Sequence, residues 1–538
     1  MTGIIKGVFY SVIFAAFLAT GLRAQGTYTA ASCNESAVQS DVTAEQAHPV
    51  DGDIISIPAG SCSWSSGITQ AFSNSVTIQG AGAISATTGG ASTTGSDSTA
   101  ITITSFPALV FTIIAGKSLR VTGIAFLTTT NTYLPMLQIE GSSSAVRVDH
   151  CHFYMGNTSG DSGLEVDGFT RGVADHIYFQ CASGGAGFNP LRVYNATDWN
   201  SATDGLGDAS WTDTDHWGTS NFFFFEDDQL YNGYVGDAED GARYVIRYST
   251  ITGDTNGSQA QNMSNHGLCH ASPGRGAPRA AEVYQNNFIK NGGTYSSSFG
   301  ELGGTLLYWG NTVTGGGYNY AVDISYERTT LSFNPPPNDW GQCGASYGAT
   351  GWDGAADSSG YPCMDQPGRG AGDLVAGSSF PTICNQTAGC PTYNGSWVHQ
   401  VLDPIYAWDN TLSLAGGGGL FHNYIPSIAV DNRDYYQQFG TYGESGSFNG
   451  TAGIGQGSVT PTTTGAYPNA PNCTAGKDEK TGAVAPGVGW WDTSNNTLYV
   501  CTATNTWTAY YTPYQYPHPL TQVDPPPAAP TNVNAAAH

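Results

Sequence analysis

The feature that most constrains this chain is a repeat. Eight short segments recur, each ending in a polar turn and one apolar residue: LRVTGIAF at Phe126, VRVDHCHF at Phe153, VADHIYF at Phe179, FFFFEDDQL at Leu230, YVIRYSTI at Ile251, AEVYQNNF at Phe288, LLYWGNTV at Val313 and IYAWDNTL at Leu412. These apolar anchors stand 27, 26, 51, 21, 37, 25 and 99 positions apart, so a step of 21 to 27 is basic, 51 doubles it, and 37 and 99 carry insertions. A unit of that size with one strand-bearing segment cannot bury its inner face alone and must stack on the next copy. The Gly, Ser, Thr and Asn between the segments leave no helical pattern, and the turns every ~8 to 12 residues of a sandwich are missing. The fold class that follows is all-β: a right-handed parallel β-helix with long loop insertions and a small C-terminal β-hairpin region.

Composition agrees and narrows the partners. The 71 glycines among 538 residues, with only 11% charged residues, argue against coiled coils and helical bundles. Seventeen Lys and Arg against 42 Asp and Glu give a net charge of −25, which repels a phosphate backbone and argues against nucleic acid. Lys6, the apolar run Gly7 to Leu22 and Arg23-Ala24 read as a secretory signal peptide over 1–24, so the mature chain is expected to be secreted or extracellular, in part attached to a cell surface. No later stretch is apolar enough to span a membrane, and a monomer is expected. Losing Lys6 and Arg23 takes −25 to −27. The 11 cysteines of an exported chain suggest local disulfides: Cys33 with Cys62, Cys343 with Cys363, Cys384 with Cys390 and Cys473 with Cys501, leaving Cys151, Cys181 and Cys269.

The domain boundaries follow. The β-helix runs over 25–435 with a Cys-rich insertion at about 332–400, a loop-rich region with a hairpin over 436–523 closes on the solenoid end, and a Pro/Ala-rich tail fills 524–538. The run DGDIISIPAGSCSWSSGIT, followed by VTIQGAG and by the N-N-F and N-T-V turns, resembles the pectate-lyase-like superfamily of right-handed β-helix proteins over roughly residues 30 to 435. The segments DGARYVIRYSTI, HGLCHASPGRGAPRAAEVYQNNF and GYPCMDQPGRG resemble an exported bacterial subgroup of it. That superfamily hosts lyases, hydrolases, esterases and adhesins, so the resemblance implies a fold before a function. Its lyases commonly hold calcium on outer-sheet aspartates. The matching spacing is absent here, so calcium stays open and no other cofactor is implied.

Aligning the segments on their anchors sorts positions into columns. Five and seven residues before the anchor the column is apolar and faces inward; four and six before, it faces outward and carries Glu226, Arg247, Tyr284, Trp309 and Trp408, then Glu282 and Tyr406. An exposed aromatic strip beside charges suits a sugar ring, which makes Glu226, Arg275, Tyr284, Trp309, Tyr406 and Trp408 candidate substrate-binding residues. Arg243, Arg247, Arg275 and Arg279 fall close together in an acidic chain, beside His266, Asp240 and Glu282. Arg matches a uronate carboxylate bidentately. Arg243, Arg247, His266, Arg279, Glu282 and Asp240 are therefore the candidate catalytic residues, for elimination from an acidic polysaccharide or for hydrolysis by an Asp/Glu pair. A non-catalytic adhesin needs only the aromatic strip. The same residues also read as internal pairs, Glu226 with Arg247 and Asp240 with Arg243, under loops 200 to 220 and 332 to 400 that form a second core. Asp228, Ser249, Asn286, Asn311 and Asn410, two before the anchor, form a polar column suited to a structural ladder.

Overall fold

The structure is a computed structural model that describes residues 24–130, 134–156, 162–182, 189–195, 210, 213–232, 236–239, 241–253, 263–265, 278–292, 295–325, 367–370, 401–424, 426, 429–438, 448–458, 460–461, 473–478 and 482–522. Three long parallel sheets wind into a β-helix. Sheet A has 12 strands, from Thr27–Thr29 to Tyr435–Gln437, while sheets B and C have 10 each. Each coil contributes one strand to each sheet in the order A, B, C, and every pairing between coils is parallel.

The anchors are one stack in sheet B. Phe126, Phe153, Phe179, Leu230, Ile251, Phe288, Val313 and Leu412 occupy a single register position from coil to coil. The first seven are at most 1% exposed, and the Phe126, Phe153 and Phe179 rings stack at 5.0 and 5.2 Å. The inward columns of sheet A, Phe223, Phe225, Tyr244, Ile246, Ala281 and Val283 among them, complete the same core.

A two-residue bend joins sheet A to sheet B in each of these coils. Its first residue is left-handed at His150, His176, Asp227, Tyr248, Gln285 and Asp409, and a glycine at Gly123 and Gly310. Its second residue is buried and, from Asp228 on, polar. The Ser249 hydroxyl accepts from Asp228 N–H at 3.1 Å, Asn286 Oδ1 from Ser249 N–H at 3.0 Å, Asn311 Oδ1 from Asn286 N–H at 3.1 Å and Asn410 Oδ1 from Asn311 N–H at 2.9 Å. Each side chain thus satisfies a backbone donor that the bend would otherwise bury unpaired.

The ends differ. Helix Glu35–Gln46 presses Val38 and Val42 onto the first coil, which is pinned by the Cys33–Cys62 disulfide. The C-terminal region does not close the far end as expected from sequence. Its four-stranded sheet, Ile454–Gly457, Gly489–Asp492, Thr497–Ala503 and Thr506–Tyr511, carries the Cys473–Cys501 disulfide and lies on the outer face of sheet A. Cys151 is a buried free thiol. The other two expected disulfides, the signal peptide up to residue 23, and the tail lie outside the described residues. Among the described residues no helix is long and apolar enough to cross a membrane.

Candidate functional site

The aromatic strip is where the sequence places it, on the outer face of sheet A, but it is not open. Tyr284, Trp309 and Trp408 stack along the solenoid axis at 4.7 and 5.7 Å, and Trp491 of the C-terminal sheet packs on both tryptophans at 5.1 and 5.2 Å. Trp309 donates to the Tyr511 hydroxyl, and the Tyr406 hydroxyl donates to the Gly487 carbonyl at 2.7 Å. Trp309 retains 6% exposure and Tyr284, Tyr406 and Trp408 at most 1%. These four and Glu226 are therefore corrected from a glycan platform to the interior of a second core. The cover includes the C-terminal region, which the sequence did not suggest, and the segment around Trp217, which falls in the suggested loop 200 to 220; the suggested loop 332 to 400 lies outside the described residues apart from 367–370.

The cationic candidates on this face are satisfied by protein. Arg247 is fully buried. It donates to Glu226 Oε2 at 2.8 Å, to the Tyr284 hydroxyl at 2.9 Å and to the carbonyls of Tyr514 and Gln515 at 2.8 and 2.9 Å, and it lies over the Phe224 ring. Arg279 pairs with Asp403 at 2.7 Å and with Asp215. Arg243 donates to Ser210 and to the Asp215 carbonyl, and burial lowers its pKa to about 9. Glu282 accepts from Gly218 N–H at 2.8 Å and the Tyr511 hydroxyl at 3.1 Å, and burial raises it to about 7. Arg243, Arg247, Arg279 and Glu282 share the sheet A side of the molecule, but line no open groove. Asp240, His266 and Arg275 lie outside the described residues.

A second polar constellation stands on the outer face of sheet C. Gln138, Glu165, Arg192 and Asp237 occupy one register column across four successive coils. Two residues further along the same strands come Glu140, Asp167, Tyr194 and Glu239, on the same face because side chains alternate. Glu165, Asp167, Arg192, Tyr194, Asp237 and Glu239 are 0 to 8% exposed, whereas Gln138 and Glu140 reach solvent in part. The patch thus descends from an open side on the earlier coils into a buried floor.

Its electrostatics are uneven. Arg192 faces Glu165 at 3.4 Å and is held charged by the Glu165 and Asp237 carboxylates despite burial. Burial first, then the carboxylates of Glu165 and Glu140, pushes Asp167 well above the usual carboxylate range. Gln138 donates to Asp167 Oδ2 at 2.6 Å, and Oδ1 meets no protein donor, which suits a protonated carboxyl sharing its hydrogen with Glu165. Tyr194 is kept neutral by burial. Arg171 stands at the corner where sheet C gives way to sheet A, one residue before strand Gly172–Asp175 and near enough to Arg243 to lower its pKa; it is part-exposed and, among the described residues, donates only to neutral groups, the Thr170 carbonyl at 2.8 Å and Asn195 Oδ1 at 3.2 Å. Burial lowers its pKa to about 10, so it stays cationic at neutral pH without a carboxylate partner.

The anchor alignment misses this face. From the anchors to the Gln138 column the distance is 12, 12, 13 and 7 residues at Phe126, Phe153, Phe179 and Leu230, so the column smears. A local signal exists: Leu137-Gln138-Ile139-Glu140, Leu164-Glu165-Val166-Asp167 and Leu191-Arg192-Val193-Tyr194 repeat apolar-polar-apolar-polar with both polar positions outward. Comparison with protein-family models, with characterised proteins and with solved structures returns no match.

Proposed function

We propose that this protein is a secreted, carbohydrate-active β-helix protein of the pectate-lyase-like kind that cleaves an acidic, uronate-containing polysaccharide by elimination, with its site on the outer face of sheet C rather than sheet A. The observation that carries this reading is Arg171: a cation four residues after Asp167, at the corner that leads from sheet C to sheet A, with hydrogen-bond partners that are all neutral among the described residues. A guanidinium in that state pairs with a substrate carboxylate at little rearrangement, and doing so withdraws charge from the carbon whose proton is lost.

Elimination then needs a base and an acid. Glu165, 3.4 Å from the Arg192 guanidinium, takes the proton from the carbon next to the uronate carboxylate. That C–H electron pair forms the new ring double bond as the glycosidic C–O bond breaks, and Asp167, whose pKa burial raises well above the usual carboxylate range, donates a proton to the departing oxygen. A carboxyl made a weaker acid by burial beside one paired with an arginine is the pattern of an acid and base pair.

The carboxyl oxygens form a poor calcium cage: Glu165 is engaged by Arg192, Asp167 accepts from Gln138 and is pushed toward its neutral form by burial, and Glu140 accepts the Thr112 hydroxyl at 2.6 Å. No step is routed through a metal. Hydrolysis is the competing outcome, although the direct hydrogen bond between Asp167 and Glu165 sets the two carboxyls closer than the ~5 to 10 Å that paired hydrolytic carboxyls keep. Incubating the protein with acidic and neutral glycans decides. Unsaturated uronate ends support elimination, new saturated reducing ends support hydrolysis, and binding without either product supports an adhesin. No binding to any acidic glycan overturns the reading.

A further inference from the structure

We infer that Phe169, with Ile114 two coils away, forms an apolar shelf that receives the sugar unit next to the one being cut, so that the glycan chain lies along the solenoid axis on its earlier coils. This rests on the proposed site in sheet C. Phe169 is 52% exposed and Ile114 48%, among the few large apolar side chains left in solvent. Both sit where a strand of sheet C gives way to the corner that leads to sheet A. Ile113 pairs with Gly141 in register, and Phe169 N–H donates to the Gly141 carbonyl at 2.9 Å, which places Ile114, Ser142 and Phe169 on three successive coils.

The exposure of Phe169 is built in. Gly168 before it has a φ of +67°, and a Cβ there would meet the Gly141 oxygen at 2.8 Å, so the turn admits glycine and fixes the direction of the ring. Phe169 stands two residues after Asp167 and two before Arg171, on the side where the patch opens to solvent at Gln138 and Glu140. With strands ~4.8 Å apart, Ile114 and Phe169 are separated by ~9.6 Å along the axis. That span gives a sugar ring an apolar floor beyond the carboxyl pair. Nothing in the fold core calls for either side chain, because both point away from it. Aromatic rings accept the C–H face of a pyranose, whereas the hydroxyls of that ring would reach Ser142, which is also exposed.

The experiment measures binding of oligogalacturonates and oligomannuronates, di- to hexasaccharides, in a Glu165→Gln background that cannot cut them, and KM and kcat in the parent background. Binding is expected to strengthen with chain length. Phe169→Ala should remove that gain, weakening the longer oligomers by roughly 5- to 100-fold, raise KM, and leave kcat and the disaccharide affinity unchanged. Phe169→Trp should keep the gain. If Phe169→Ala binds long and short oligomers like the parent, the shelf is wrong while the catalytic reading stands. If the parent neither binds nor cuts any of these oligomers, the proposed function falls and the shelf with it.

Discussion

The outer faces of sheets A and C carry the same residue types and do opposite things with them. On sheet A, Arg247 meets Glu226, a tyrosine hydroxyl and two backbone carbonyls, and its tryptophans meet Trp491. At the corner between sheets C and A, Arg171 meets only neutral oxygens among the described residues, and on sheet C burial raises Asp167 well above the usual carboxylate range. The difference lies in who completes the valence of each group: a second piece of the chain in one case, and no described residue in the other. Arginine, glutamate and aromatic residues grouped in an acidic sequence therefore indicate a polar joint as readily as a binding site, and only the partners separate the two.

Four substitutions break or sharpen that contrast. Glu165→Gln should lower turnover by ~10²- to 10⁴-fold while the thermal midpoint stays close to the parent's. Arg247→Ala should do the reverse, costing about 3–5 kcal/mol in a denaturant titration because Glu226 is left buried and unpaired, with glycan cleavage intact in the folded fraction. Should Glu165→Gln unfold the protein and Arg247→Ala silence it without loss of stability, the two faces have been assigned the wrong way round. Asn311→Ala removes an acceptor from Asn286 and should cost about 1–3 kcal/mol, with no effect on glycan affinity.

The smallest effect is a pH slope. Glu282 in the joint holds its proton up to about 7, above its ordinary 4.5, so the folded state binds the proton more tightly than the unfolded chain. Its contribution is complete below about 4.5, declines as pH rises, and is gone above about 7. Asp149 on an earlier coil of sheet A, buried and bound by Arg120 at 2.7 Å, is held below the usual range and acts oppositely: its contribution is present above about 3.8 and lost as pH falls further. Midpoints measured across pH should show the upper decline flattened in Glu282→Gln and the acid loss unchanged. An identical upper slope in that variant would remove Glu282 from the explanation.

What could be read from the sequence follows from where the chain has fixed length. In the eight coils that carry the anchors the bend between sheets A and B is two residues, so columns counted back from Phe179 or Phe288 fall in register, and the inward faces and the polar ladder emerge directly. Between sheets B and C the connection varies, so Glu165, Arg192 and Asp237 share a column that no anchor count aligns. The aromatic strip was legible as an outward face and a cover was one of its two readings, but the C-terminal part of that cover was not, because residues such as Trp491 and Tyr511 are remote in sequence.

The ladder also frees this fold from its own sequence length. Asn286 and Asn311 are 25 residues apart, Asn311 and Asn410 are 99 apart, yet both steps close with an amide oxygen accepting the same backbone N–H, at 3.1 and 2.9 Å. Stacking is counted in coils, so the intervening chain can lengthen without altering the rung above or below. A foreign loop or a whole domain grafted after Ile324, beyond the corner that the ladder holds, should leave the neighbouring coils as they are.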